Sequence, residues 1–171
     1  MGDIVAPVRK AVELLMPMAQ ARRVECRLEG PDELPGLFDE DKLRKITSNL
    51  VGNAIKYTRP GGEVVVRLDF SAAGVGQDRL ILLVEDCGAG IEPGHLEHIF
   101  DRFFRGSETT AVDGSGIGLN FAKELVDLWG GEIRAESPIH PDAERPGTRF
   151  VVELPIGENG DSVEPRQRKR E

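Results

Sequence analysis

Asn49, Asn53 and Lys56 lie in the segment NLVGNAIKYT, residues 49–58. On a helix turning about 100° per residue they share one stripe. Asparagine costs roughly 0.5–0.7 kcal/mol against alanine in a helix interior. Two of them so close together break a local rule, and such breaks tend to mark functional sites. A carboxamide oxygen is a hard, neutral ligand suited to Mg2+, which prefers oxygen and keeps several waters plus substrate phosphates. Lys56 supplies a point charge for a phosphate. For this stretch alone, asparagines capping neighbouring backbone beside a solvated lysine is an equal alternative.

Three further stretches tilt the balance. In VEDCGAGI, residues 84–91, a carboxylate ends an apolar strand and Gly88 and Gly90 follow at once. Glycine lets backbone approach a flat ligand, and Asp86 can accept a hydrogen bond from an exocyclic amine. A strand ending in an ordinary acidic turn is the plainer reading. In DGSGIGLN, residues 113–120, Gly114, Gly116 and Gly118 free successive N–H groups to point at an anion at a helix start. The run is neither a Walker A motif nor a complete GxGxxG. In GTRF, residues 147–150, Thr148 is placed to hydrogen-bond a base, directly or through water.

The elements that must position these residues follow from periodicity. Ile4, Val8, Val12, Leu15 and Met16 predict a helix over 3–20, with Asp3 as a possible cap. RVECRL, residues 23–28, alternates like a strand, and GPDELPG is a turn-rich connection. Asp39 or Asp41 caps a second helix over about 40–57, whose core stripe is Leu43, Ile46, Leu50, Ala54 and Tyr57. RPGG stops it. EVVVRLDF and RLILLVED read as strands, followed by a short helical piece around 96–104 and a patternless stretch over 105–116. A third helix is expected over about 117–129, with Ile117, Phe121, Leu125 and Leu128 as its core positions. GGEIRAES and GTRFVVELP are the last strands. The interleaving predicts a two-layer α/β (α+β) sandwich: one mixed, mostly antiparallel sheet, covered on one face by about three helices and partly exposed on the other.

The 171 residues suit one domain, expected over 1–156, with a disordered polar tail over 157–171 whose RQRKR run is a solvated terminus. A net charge of −8 argues against binding along a nucleic-acid backbone. Apolar runs such as Leu80 to Val84 are too short to cross a bilayer. The first residues have no basic segment leading into an apolar one, so no secretory signal is expected. Cys26 and Cys87 form no CxxC pair and read as reduced thiols. These features predict a cytoplasmic domain without direct membrane contact.

Taken in order, with IFDRFFRG (residues 99–106) between them, the motifs resemble the ATP-binding catalytic domain of sensor histidine protein kinases. That family belongs to the GHKL group with the Bergerat fold. The resemblance runs from about residue 3 to residue 155. NLVGNAIKYT is similar to the N box, which implies that Asn53 ligates Mg2+, that Asn49 lies near the phosphates, and that Lys56 and Tyr57 contact phosphate, ribose or base. DCGAG is similar to the G1 box, which makes Asp86 the reader of the adenine amino group, with Gly88, Gly90 and Ile91 beside it. IFDRFFRG is similar to the F box, with Phe104 near the nucleotide and Arg105 reaching the terminal phosphates. GSGIGL is similar to the G2 box, whose backbone at Gly114, Ser115, Gly116, Ile117, Gly118 and Leu119 cradles the phosphates. GTRF is similar to the G3 box, placing Thr148 and Phe150 at the adenine. Residues 101–116 correspond to a flexible ATP lid.

The departures matter as much. Phe104 stands where many relatives have tyrosine, and Ser115 replaces a common threonine. The family phosphorylates a histidine on a preceding helical hairpin, yet the helix over 3–20 has none; the three histidines are His95, His98 and His140. His95 and His98 read as ordinary surface histidines. The resemblance therefore implies a catalytic half that uses ATP and Mg2+, acts on a histidine-containing dimerisation domain, and serves a response regulator. Asn49, Asn53, Lys56 and Arg105 would carry phosphoryl transfer by positioning and charge neutralisation. GHKL hydrolases such as gyrase and MutL carry a glutamate four residues before the metal-binding asparagine. Here that position is Asn49, and a carboxamide takes no proton from water. Glu85, beside Asp86, is the remaining carboxylate candidate for such a base. The other readings are a regulatory ATP-binding module without turnover and a serine kinase of the anti-sigma type.

Overall fold

The computed structural model describes residues 2–71, 78–104, 116–140 and 144–156. The expected tail over 157–171 lies outside these residues.

Among the described residues, three helices carry the apolar stripes. The first, α1 (Val5–Arg22), buries Val5, Val8, Ala11, Val12 and Ala19. Asp3 does more than cap it. One carboxylate oxygen accepts from the Val5 N–H at 3.0 Å and from the Leu34 N–H at 2.9 Å, tying the helix start to the turn-rich connection. A two-residue pair, β1 (Gly2–Asp3) with β3 (Pro35–Gly36), closes the same corner. It was not legible in the sequence, because two residues carry no period. Arg23, at φ 58°, ends α1 in the left-handed conformation and donates its N–H to Ala19 and Gln20 carbonyls.

The second helix, α2 (Glu40–Tyr57), starts where expected, with Asp39 accepting from the Lys42 N–H at 3.0 Å. Leu43, Ile46, Leu50 and Ala54 are fully buried, and Tyr57 is half-buried at the end of the stripe. At that end Arg22 reaches across from α1. Its guanidinium donates to the Ile55 and Lys56 carbonyls at 3.2 and 2.7 Å, satisfying groups that a helix terminus leaves unpaired.

The main sheet has five strands: β2 (Glu25–Glu29), β4 (Glu63–Ser71), β5 (Arg79–Asp86), β6 (Glu132–Glu136) and β7 (Thr148–Pro155). Their order is β2-β4-β5-β7-β6. Only β2 and β4 run parallel, so the sheet is mixed and mostly antiparallel. Alternate residues face the helices: Val64, Val66 and Leu68; Leu80, Leu82 and Val84; Phe150, Val152 and Leu154. This is the expected sandwich, with its core between sheet and helices.

The other face is laced by charge. Arg27 pairs with Glu63 and Glu29, Arg67 with Glu29 and Glu85, Arg149 with Glu85 and Glu136, and Arg134 with Glu136 and Glu153. Each of these four arginines bridges two glutamates, and the pairs span all five strands. Such partly exposed pairs each add at most about 1 kcal/mol. Together they cover Val65 and Val151, which are 6% and 2% exposed.

Two expectations need correction. The third helix, α3 (Gly118–Leu128), buries Ala122, Leu125 and Val126, and Trp129 follows them at 8% exposure. Ile117, Phe121 and Leu128 are 39%, 37% and 65% exposed. The helix carries two adjacent apolar stripes, and close packing on α2 selects the one containing the small Ala122. The helical piece expected over 96–104 is instead a 3-10 turn, Pro93–His95, continued by turns in which His98, Asp101 and Phe104 donate to residues three back. Phe103, at φ 66°, cannot continue a right-handed helix.

Candidate functional site

Two glycine turns converge on α2. At Gly88, an added Cβ would lie 2.5 Å from the Tyr57 carbonyl oxygen, so only glycine allows the turn after β5 to close on the end of α2. At Gly118, an added Cβ would lie 3.0 Å from Asn49 Oδ1, so α3 begins directly against that asparagine. Asn49 donates from Nδ2 to the Lys45 carbonyl at 2.8 Å, which leaves its oxygen toward Gly118. Positions 49 and 57 stand about 12 Å apart along the helix axis. Asn53 and Lys56 lie between them, both half-buried on the edge of the core. The Lys56 ammonium sits 5.6 Å from the Tyr57 ring centroid.

Asp86 faces inward at the end of β5 and is 5% exposed. It accepts from the Gly88 N–H at 2.8 Å and from the Thr148 backbone N–H. Burial pushes its carboxyl up to about 6, against the lowering effect of those two donors. An ionised, desolvated carboxylate with two fixed donors is a strong acceptor for a further N–H. Thr148 lies directly across from Asp86 in the β5–β7 register and is itself 5% exposed. Gly147, at φ 66°, is pressed against Asp86; a Cβ there would lie within contact of its carbonyl oxygen.

Other expected residues divide between lining and support. Gly90, at φ 74°, turns the chain beside Pro146 and Ser137. Ile91, Phe104 and Leu119 pack on the core edge. Phe150 is 1% exposed and meets the Phe100 ring edge-on at 6.3 Å, so it forms the floor beneath the site rather than an accessible wall. Gly116, at φ 66°, accepts the Phe103 N–H at 3.2 Å, which brings the two ends of the expected lid together. Ile117 is partly exposed at the start of α3. Arg105, Gly114 and Ser115, and with them residues 105–115 of the expected lid, lie outside the described residues.

Glu85 is turned away from all of this. Its carboxylate binds Arg67 and Arg149, both at 2.5 Å, on the opposite face of the sheet. His98 pairs with Asp101 at 2.9 Å and His95 stacks edge-on against Phe104, as surface groups of the turn segment. A separate open cavity of about 420 Å³ lies at the end of the sheet near Arg23, Gly62, Cys87 and Arg145, and none of the expected site residues lines it.

Sequence reasoning missed three supporting residues. Arg22 caps the site end of α2. Asn120 donates from Nδ2 to the Phe100 carbonyl at 3.1 Å, tying α3 to the turn segment. Ser137 bridges two loops. Each is a long-range contact of a common residue type, with no local pattern to announce it.

Among the described residues, three helices lie on a mixed sheet, and glycine turns close on one asparagine-bearing helix: a two-layer α/β sandwich with its candidate site along α2. Residues 38–158 match the family described as "Histidine kinase-, DNA gyrase B-, and HSP90-like ATPase", and the chain belongs to that family. Sensor protein SrrB of Staphylococcus aureus is 33% identical over 120 residues, covering 69% of this chain and 19% of SrrB. The chain thus spans about a fifth of the length of the curated relatives it matches. Among solved structures, the mycobacterial sensor histidine kinase MprB superposes with a TM-score of 0.78 at 29% identity, covering 90% of this chain and 96% of that one. Full-length ShkA, solved in complex with AMPPNP, superposes with a TM-score of 0.72 at 31% identity, covering 90% of this chain and 30% of ShkA. The fold is that of the catalytic domain of sensor histidine kinases.

Proposed function

We propose that this domain binds Mg-ATP against α2 and transfers the γ-phosphoryl group to a histidine on a separate dimerisation domain, from which a response-regulator receiver domain takes it. The observation that carries the reading is the double closure on α2, Gly88 on Tyr57 and Gly118 on Asn49, with the buried acceptor Asp86 beside the first closure. Asp86 takes the adenine amino group, with Thr148 adjoining. The stripe of Asn49, Asn53 and Lys56 then faces the phosphates, and the glycine-rich start of α3 presents backbone N–H groups to them.

The donor set suits a magnesium ion. Asn53 offers a neutral oxygen, and among the described residues no cluster of three or more His, Cys, Asp or Glu side chains competes for a metal. The ion would be held by Asn53 together with the phosphates, and when bound it neutralises charge on the transferring group. The chain's own part is to orient: Asn49 and Lys56 hold the phosphate oxygens, and the terminal phosphate is assigned to Arg105, which lies outside the described residues. The acceptor histidine arrives as neutral imidazole, so no base from this chain is required. Glu85 cannot serve as a water-activating base, because its carboxylate is held on the opposite face of the sheet. That favours transfer over hydrolysis.

The test mixes the chain with a histidine-bearing helical hairpin and γ-labelled ATP. Acid-labile label on the hairpin histidine supports the kinase. Tight nucleotide binding without transfer supports a regulatory module, and acid-stable label on a serine supports the anti-sigma type.

A further inference from the structure

One hydroxyl joins the two turns that frame Asp86. Ser137 Oγ accepts the Ile91 N–H at 2.9 Å and donates to the Gly147 carbonyl at 2.8 Å. Ile91 ends the turn that begins at Gly88, and Gly147 immediately precedes Thr148. Those same two segments supply the N–H groups that hold the Asp86 carboxylate, from Gly88 and Thr148. They also meet directly, Gly147 N–H to Gly88 carbonyl at 3.2 Å. Next to Ser137, the Pro146 carbonyl accepts from Ile139 and His140 at 2.8 and 3.0 Å, which ties the segment that carries the serine to the one that enters β7. An added Cβ at Gly90 would come within 3.0 Å of Ser137 Oγ, so the contact is tight as well as bonded.

We propose that Ser137 is a positioning residue for base recognition: its hydroxyl is the strut that sets the gap between the Gly88–Ile91 turn and the start of β7, and so the aim of Asp86. It touches no nucleotide atom and acts through the two backbone donors. The inference rests on the reading of Asp86 as the adenine acceptor. With an alanine at 137, two part-buried bonds are lost together, the two segments drift relative to each other, and the carboxylate loses its orientation while the phosphate end of the site, formed by α2 and α3, is untouched.

The experiment titrates the full chain with Mg-ATP, Mg-GTP and Mg-tripolyphosphate, the last having no base. For S137A the expected result is an ATP affinity about tenfold weaker, the scale of one or two lost hydrogen bonds. Tripolyphosphate affinity should stay within about twofold, and the ATP-to-GTP ratio should shrink. S137C keeps the side chain's shape with a weak hydrogen-bonding group and serves the same comparison if S137A does not fold. Equal losses for ATP and tripolyphosphate, or no loss for either, overturn the inference. Wild-type protein that binds tripolyphosphate but treats ATP and GTP alike overturns the role of Asp86 itself, a separate failure visible before any variant is made.

Discussion

Glu85 and Asp86 are neighbours in the chain and lie on opposite faces of the sheet: Glu85 is clamped between Arg67 and Arg149, and Asp86 is buried under the helices between the N–H groups of Gly88 and Thr148. Strand alternation makes one a structural ion-pair hub and the other the acceptor of the candidate site. Two carboxylates one residue apart thus have no role in common.

Asp86 should read the base. With Asp86→Asn, a pure acceptor becomes a mixed donor and acceptor, and most preference for ATP over GTP should vanish. Calorimetric titration with both nucleotides checks this; an unchanged ratio removes the residue from the site.

The same carboxyl should give the protein a pH signature. Its folded value of about 6 lies above the unfolded value of 3.8, so the folded state holds the proton more tightly. The stability that this proton contributes is full below pH 3.8 and is lost as pH rises through about 6, in total about 3 kcal/mol. Urea unfolding of wild type should show that decline between the two values, and Asp86→Asn should flatten it. ATP affinity should run the other way, weakening as pH falls below about 6, because the neutral carboxyl is the poorer acceptor.

Asn53→Ala should weaken Mg-ATP about tenfold, the equivalent of about 1.4 kcal/mol, and leave ATP in excess chelator nearly unchanged. Equal losses with and without the metal would refute ligation through that oxygen.

Gly88→Ala places a methyl group 2.5 Å from the Tyr57 carbonyl oxygen, a backbone atom with nowhere to go. The cost should reach about 2 kcal/mol or more, read as a lower urea midpoint, with nucleotide binding lost alongside it.

Glu85→Gln leaves two guanidinium groups facing a neutral amide. Both arginines are more than a third exposed, at 38% and 37%, so solvent screening limits the loss to about 1 kcal/mol. The difference from wild type should shrink in high salt, while ATP affinity stays within about twofold. A large fall in ATP affinity at unchanged stability would mean that this face of the sheet takes part in binding.

Much of the fold is written in local pattern. The period of Ile4, Val8 and Val12 made α1, Asp39 opened α2, and the short apolar runs within 63–70 and 79–86 made the central strands, because each signal needs only near neighbours. The glycine motifs and the asparagine stripe were legible for the same reason: residue types and short spacings encode what a helix start or a tight turn can offer. Tertiary structure alone decided that α3 buries Ala122, Val126 and Trp129 instead of Ile117, Phe121 and Leu128, since two apolar stripes were available and only packing against α2 could choose. It alone set the Arg22 cap and the Ser137 bridge, whose partners lie 33 and 46 residues away. A hydrogen bond across that distance depends on where the whole sheet and helix layer bring two backbones together, and no window of sequence holds both ends.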